Sequence, residues 1–169
     1  MKLRVGVIVG IVLAAALFRV LPHPANVTPI AAMALFAGAH LEDRRLAWLV
    51  PFAALLVSDL VLGLHQTLPF VYLAFGLTVL IGTWLGTRRR AGAILGASLM
   101  SSTLFYLVTN FGAWLAHDMY PRTADGLMAA YAAGVPFFRN GLFGDLFFTA
   151  LFFGGFYLAQ RRLPQLRAA

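Results

Sequence analysis

Residues 68–90 read LPFVYLAFGLTVLIGTWLGTRRR. From Leu68 to Leu85 there is no charged side chain, and the run ends against Arg88, Arg89 and Arg90. About 20 apolar residues in a helix cross the roughly 30 Å hydrocarbon core of a bilayer. Pro69 sits in the first turn, where a missing N–H costs a helix nothing. The stretch predicts a membrane-spanning helix, and its arginines mark the cytoplasmic end.

Working outward, five further apolar runs are separated by polar punctuation. They cover residues 5–20, 27–39, 46–64, 91–116 and 137–160. Pro22 and Pro24 close the first run, Pro29 opens the short second and Pro51 lies inside the third. Residues 117–136 are expected to form an outer loop, with an amphipathic turn or helix around Gly126–Ala133. The fold class that follows is an all-α membrane protein, one bundle of six transmembrane helices over residues 1–169. The first run resembles a signal peptide, but no small-x-small cleavage site follows it, so an uncleaved first helix is expected.

Composition agrees. The chain is 61% hydrophobic and 11% charged, against about 25% charged in soluble domains. So few charges cannot cover a globule of this size, whereas a lipid bilayer removes the need. The net charge of +7 is topological. Lys2 and Arg4, Arg44 and Arg45, Arg88–Arg90, and Arg161, Arg162 and Arg167 all fall on one side of a six-span chain. These are ten of the 13 basic residues. With that side inside, both termini are cytoplasmic, and nucleic acid is not an expected partner. The absence of cysteine excludes disulfides and thiolate chemistry.

A charge inside a spanning helix costs about 2.5–3.5 kcal/mol on insertion scales and needs a partner or a use. The chain spends its polar groups near the outer ends of its spans: Ser58-Asp59 and His65-Gln66, Thr109-Asn110 with Trp114 and His117, Arg139-Asn140 and Asp145, and the turn Arg19, His23 and Asn26. A one-sided polar lining suggests a cavity open to the outside. The expected ligand-binding set is Asn26, Asp59, His65, Tyr72, Asn110, Trp114, Arg139, Asn140 and Asp145. The same carboxylates have a structural reading, as partners of Arg139 that lock helices together. Positions 139 and 145 lie about 240° apart on one helix, so Arg139 is expected to meet Asp59 or Asn110 from another. Gly6, Gly10 and Ala14 give the first helix a smooth face, suited to packing or to docking a partner.

Catalytic signatures are missing. There is no H-E-x-x-H, Walker loop or G-x-S-x-G, no metal site is expected, and the protein is not expected to be an enzyme.

Leu21–Phe36 (LPHPANVTPIAAMALF), Pro51–His65 with Ser58-Asp59-Leu60, Thr109-Asn110-Phe111, and Pro136–Asp145 (PFFRNGLFGD) resemble an uncharacterised family of small bacterial membrane proteins. That family is in turn similar to the substrate-binding S-components of energy-coupling factor vitamin transporters. The resemblance implies six helices around a pocket near the outer face. It also implies a small-residue first helix that contacts a coupling subunit, ATPases elsewhere in the complex, and the bacterial cytoplasmic (inner) membrane. The implied cargo is a vitamin or a cobalamin-like cofactor, with no cofactor built in. One solitary S-component type ligates cobalt through cysteine; here His65 or His117 would have to substitute. Two other classes remain open, a non-transporting scaffold whose polar groups only pair helices, and an intramembrane enzyme using His and Asp.

Overall fold

An apolar run without charges satisfies its backbone polar groups most simply by coiling on itself, and each predicted run does so. The computed structural model describes residues 2–86 and 88–167. Its helices are α1 (Lys2–Val20), α2 (Ile30–His40), α3 (Arg44–Leu62), α4 (Leu68–Leu85), α5 (Ala91–Ala116) and α6 (Ala124–Thr149). A π-helical turn, Ala150–Gly154, carries α6 into α7 (Gly155–Arg162), and a 3-10 turn, Pro164–Leu166, follows. Among the described residues there is no strand. Five helical stretches are long and apolar enough to cross a membrane: α1, α3, α4, α5 and the continuous Ala124–Arg162.

The last stretch departs from expectation. Residues 124–136, expected as an outer loop with a turn or helix around Gly126–Ala133, are helix throughout and continuous with the sixth element, which starts at Ala124 rather than Phe137. Thr123 caps it, its Oγ1 accepting from the Gly126 N–H at 3.2 Å. Two tyrosines then pin this first part to α5. Tyr106 Oη donates to the Tyr131 carbonyl at 2.6 Å, and Tyr131 Oη to the Leu107 carbonyl at 2.9 Å. Pro136 is accommodated inside the helix, at the loss of one backbone bond. Tertiary contacts carry the helix through Pro136.

α2 is the other surprise. It has 11 residues, and all are buried. It packs against α1, α3, α4, α5 and α6, so it forms the centre of the bundle. A helix apolar on every side has no face to give to water, and IAAMALFAGAH has none. Its closest neighbour is α4. A Cβ on Gly38 would lie 2.5 Å from the Val79 carbonyl oxygen and 3.1 Å from the Gly82 Cα. One on Gly82 would lie 2.5 Å from the Leu35 carbonyl oxygen. The two glycines let the backbones touch, as small residues do between helices in lipid.

Ion pairs fix the ends. Arg4 pairs with Glu42 and Arg19 with Asp59, so α1 and α3 run parallel. Arg89 lies close enough to Arg4 and Glu42 to feel both charges, and Arg89 and Arg167 line one cavity. These contacts gather the basic clusters at one end of the bundle and leave Arg19 and Asp59 at the other.

Candidate functional site: a polar cavity above the short central helix

At about 1.5 Å per residue, α2 is only about 16 Å long. Above it the chain from Leu21 to Pro29 runs without regular helix. Asn26 takes a left-handed conformation (φ 61°), which asparagine tolerates better than most residues. The turn closes by the Val27 N–H donating to the Pro24 carbonyl at 3.0 Å. This linker lies tightly on α6. A Cβ at Gly144 would stand 3.1 Å from the Val27 Cα, so the glycine lets the linker lie this close.

The space left above α2 is a cavity of about 600 Å³. Arg19, His23, Asn26 and Thr28 line it from the end of α1 and the linker. α5 contributes Ser102, Phe105, Tyr106, Thr109 and Asn110; α6 contributes Phe137, Phe138, Gly141, Leu142 and Asp145. Both sets recur at three- and four-residue spacing, which places them on single helix faces. Irregular backbone at this depth is tolerated where it lines a cavity, so the short helix and the cavity are two aspects of one feature.

Asp145 is buried, and its Oδ2 lies 2.7 Å from Ser102 Oγ. The same hydroxyl lies 3.0 Å from the Ser98 carbonyl oxygen, so its one proton is shared between two acceptors. One turn on, Ser98 Oγ and Thr149 Oγ1 are 3.2 Å apart. Ser102 and Asp145 face this cavity, while Ser98 and Thr149 face a second one towards the basic end. A single hydrogen-bonded layer separates the two.

Arg19 enters the cavity wall already engaged. Its Nη1 donates to Asp59 and to Ser58 Oγ, the latter at 2.7 Å. Ser58 in turn donates to the Leu55 carbonyl at 2.8 Å. Asp59 is 1% exposed and its Oδ2 has no partner; Tyr72 Oη, near the same carboxylate, has none either. With Arg19 neutralised by Asp59, Asp145 is the one carboxylate in the cavity without a counter-ion among the described residues.

Of the nine ligand candidates, the cavity gathers Asn26, Asn110 and Asp145. Asp59 and Tyr72 stand behind it, around Arg19. Asn140 is exposed and reaches the Ala25 carbonyl at 3.4 Å, outside the cavity lining. Arg139 is exposed and makes no hydrogen bond or ion pair among the described residues; of the two partners expected for it, Asp59 is taken by Arg19 and Asn110 Nδ2 donates to the Tyr106 carbonyl at 2.9 Å. Trp114 Nε1 donates to the Pro121 carbonyl at 2.8 Å, with Arg122 over the ring at 5.7 Å, which closes the α5–α6 turn. His65 is exposed and 2.8 Å from Thr67 Oγ1, and His117 is exposed beyond α5. Of the outer histidines His23 alone lines the cavity, its Nδ1 2.6 Å from the Leu21 carbonyl oxygen. Among the described residues no group of three His, Asp or Glu side chains is placed to hold a metal.

Sequence reasoning missed Ser102 and the aromatic wall of Phe105, Phe137 and Phe138. The signal was present as Ser98 and Ser102 facing Asp145 and Thr149, two pairs each spaced by four residues.

No curated protein and no solved structure matches this chain. A family model covers residues 1–166, nearly the whole length, and the chain belongs to that family, DUF6580, a family of unknown function.

Proposed function

We propose that the protein is an integral subunit of the bacterial inner membrane, S-component-like, that binds a small vitamin- or cofactor-class solute for uptake. The observation that carries this reading is the cavity remote from the basic clusters, with Asp145 uncompensated inside it. Clustered Lys and Arg favour the cytoplasm, so the cavity opens outward and both termini lie inside. Its volume suits a small organic ligand. Four aromatic walls and one carboxylate favour a flat heterocycle carrying an N–H or ammonium donor. Binding involves no covalent step, and energy comes from ATPases in a larger complex.

The test is purification of the full chain in mild detergent, followed by absorbance and mass spectrometry of what accompanies it. A stoichiometric heterocyclic solute is expected. Asp145→Asn is expected to weaken its binding about 10- to 100-fold, the worth of a hydrogen bond to a charged group. Arg139→Ala should bind as the parent does. An empty protein whose melting temperature no candidate solute raises would refute the reading.

Coupling needs a docking face. Gly6, Gly10 and Ala14 are exposed along α1, and a Cβ at either glycine meets nothing within 4 Å. Gly6→Leu and Gly10→Leu are therefore expected to leave melting and solute binding intact while abolishing co-purification of a coupling subunit. Retained co-purification would move the docking face elsewhere.

A further inference from the structure

The second cavity, about 740 Å³, lies between the N-terminal half of α5 and the π-turn and α7. Its flanks are lipid-side residues: Ala91 and Leu95 on α5, and Ala150, Gly154 and Tyr157 opposite, all exposed. It is thus a slot open sideways, along the surface that would meet acyl chains. Its inner wall is mostly apolar, and the polar floor is already satisfied, since Ser98 and Thr149 bond each other. The charged side chains that line the slot, Arg89 and Arg167, are both at its basic end.

There Arg89 has no carboxylate within ion-pair distance among the described residues, because Glu42 is held by Arg4. Burial, and then the neighbouring Arg4, push its guanidinium below its usual value, with Glu42 opposing. Arg4 Nε is buried without a partner. Arg167, also lining the slot, uses Nε on the Gln160 carbonyl at 3.2 Å, and its guanidinium makes no other hydrogen bond among the described residues. His40, 5% exposed, is fixed among Phe36, Phe153 and Phe156, with Nδ1 on the Phe36 carbonyl at 3.0 Å. Its Nε2 makes no hydrogen bond among the described residues. Positive charge at one end of an apolar lateral slot is the complement of an anionic amphiphile. A soluble anion would leave the apolar length empty, and a zwitterionic lipid would bring its own cation to an end that already holds Arg89 and Arg167.

We infer that this slot is a binding site for an anionic phospholipid of the leaflet at the basic end, its phosphate on Arg89 and Arg167 and an acyl chain between Leu95 and Gly154. Basic pockets between helices on the cytoplasmic side recognise such headgroups. His40 Nε2 further favours a headgroup with a hydroxyl to donate, as in phosphatidylglycerol. The site is independent of the solute reading above, since it shares no lining residue with that cavity.

The experiment is native mass spectrometry of the full chain released from nanodiscs of equal phosphatidylglycerol and phosphatidylcholine. One phosphatidylglycerol retained per chain is expected. Arg89→Gln with Arg167→Gln should reduce its retention roughly 30-fold, whereas Arg162→Gln, exposed and outside the slot, should not. Gly154→Leu keeps every charge, meets open space at its Cβ and fills the slot, so it too should lose the lipid while remaining folded. Equal retention of phosphatidylcholine, unchanged retention in Gly154→Leu, or displacement of the lipid by inorganic phosphate alone would each overturn the proposal.

Discussion

Asp59→Ala is expected to cost about 3–5 kcal/mol, the usual penalty for stranding one member of a buried ion pair. The carboxylate is 1% exposed and the Arg19 side chain 13%. Without it the guanidinium keeps only Ser58, itself committed to the Leu55 carbonyl. The measurement is thermal loss of the monodisperse peak in detergent. Arg19→Met combined with Asp59→Leu should recover much of the deficit, because a buried pair replaced by apolar residues of similar size is often neutral. A single variant as stable as the parent would mean that the pair does not hold α1 to α3. The comparison also separates fold from binding: Asp59 acts behind the cavity and Asp145 within it.

Gly82→Leu is expected to break the packing of α2 on α4 at the centre of the bundle. Even alanine places its Cβ 2.5 Å from the Leu35 carbonyl oxygen and 3.1 Å from the Gly38 Cα. Both neighbours are backbone, so neither can swing aside. Overpacking usually costs about 1–3 kcal/mol where side chains can adjust; here two helices must separate. Gly82→Ala should lower the melting temperature clearly, and Gly82→Leu should fail to give a monodisperse protein. Gly6→Leu is the control for added bulk on an exposed helix face. If Gly82→Leu melts like the parent, α2 does not lie against α4 as described.

The long apolar helices were legible because hydropathy acts segment by segment. α1, α3, α4 and α5 begin and end within a few residues of the predicted runs. The extension of α6 back to Ala124 was not, because the Tyr106 and Tyr131 bonds that favour it are to backbone carbonyls of another helix. Nor is a central position for α2 written in its local sequence beyond a lack of polarity. In the site, Asn26, Asn110 and Asp145 could be singled out as polar residues in apolar surroundings. The partner of Asp59 could not be chosen by the same logic. Arg19 and Arg139 both sat near the outer ends of their runs, and only the parallel packing of α1 on α3 decides between them. His65 and Trp114 were drawn in by nearness in sequence to polar residues, yet their polar atoms bond Thr67 and Pro121 within their own turns.

A central helix of 11 residues also constrains how such a chain can be made. Roughly 20 apolar residues are needed to cross a bilayer unaided, so α2 cannot be released into lipid as an independent segment during synthesis. Its two backbone ends would be stranded in hydrocarbon until other parts of the chain shelter them. Phe36 and His40 pack on Phe153 and Phe156, residues made after α5. A nascent chain stopped after α5 would therefore carry an unfinished interior, recognisable to cellular quality control, and synthesis of α6 and α7 would be the step that closes it.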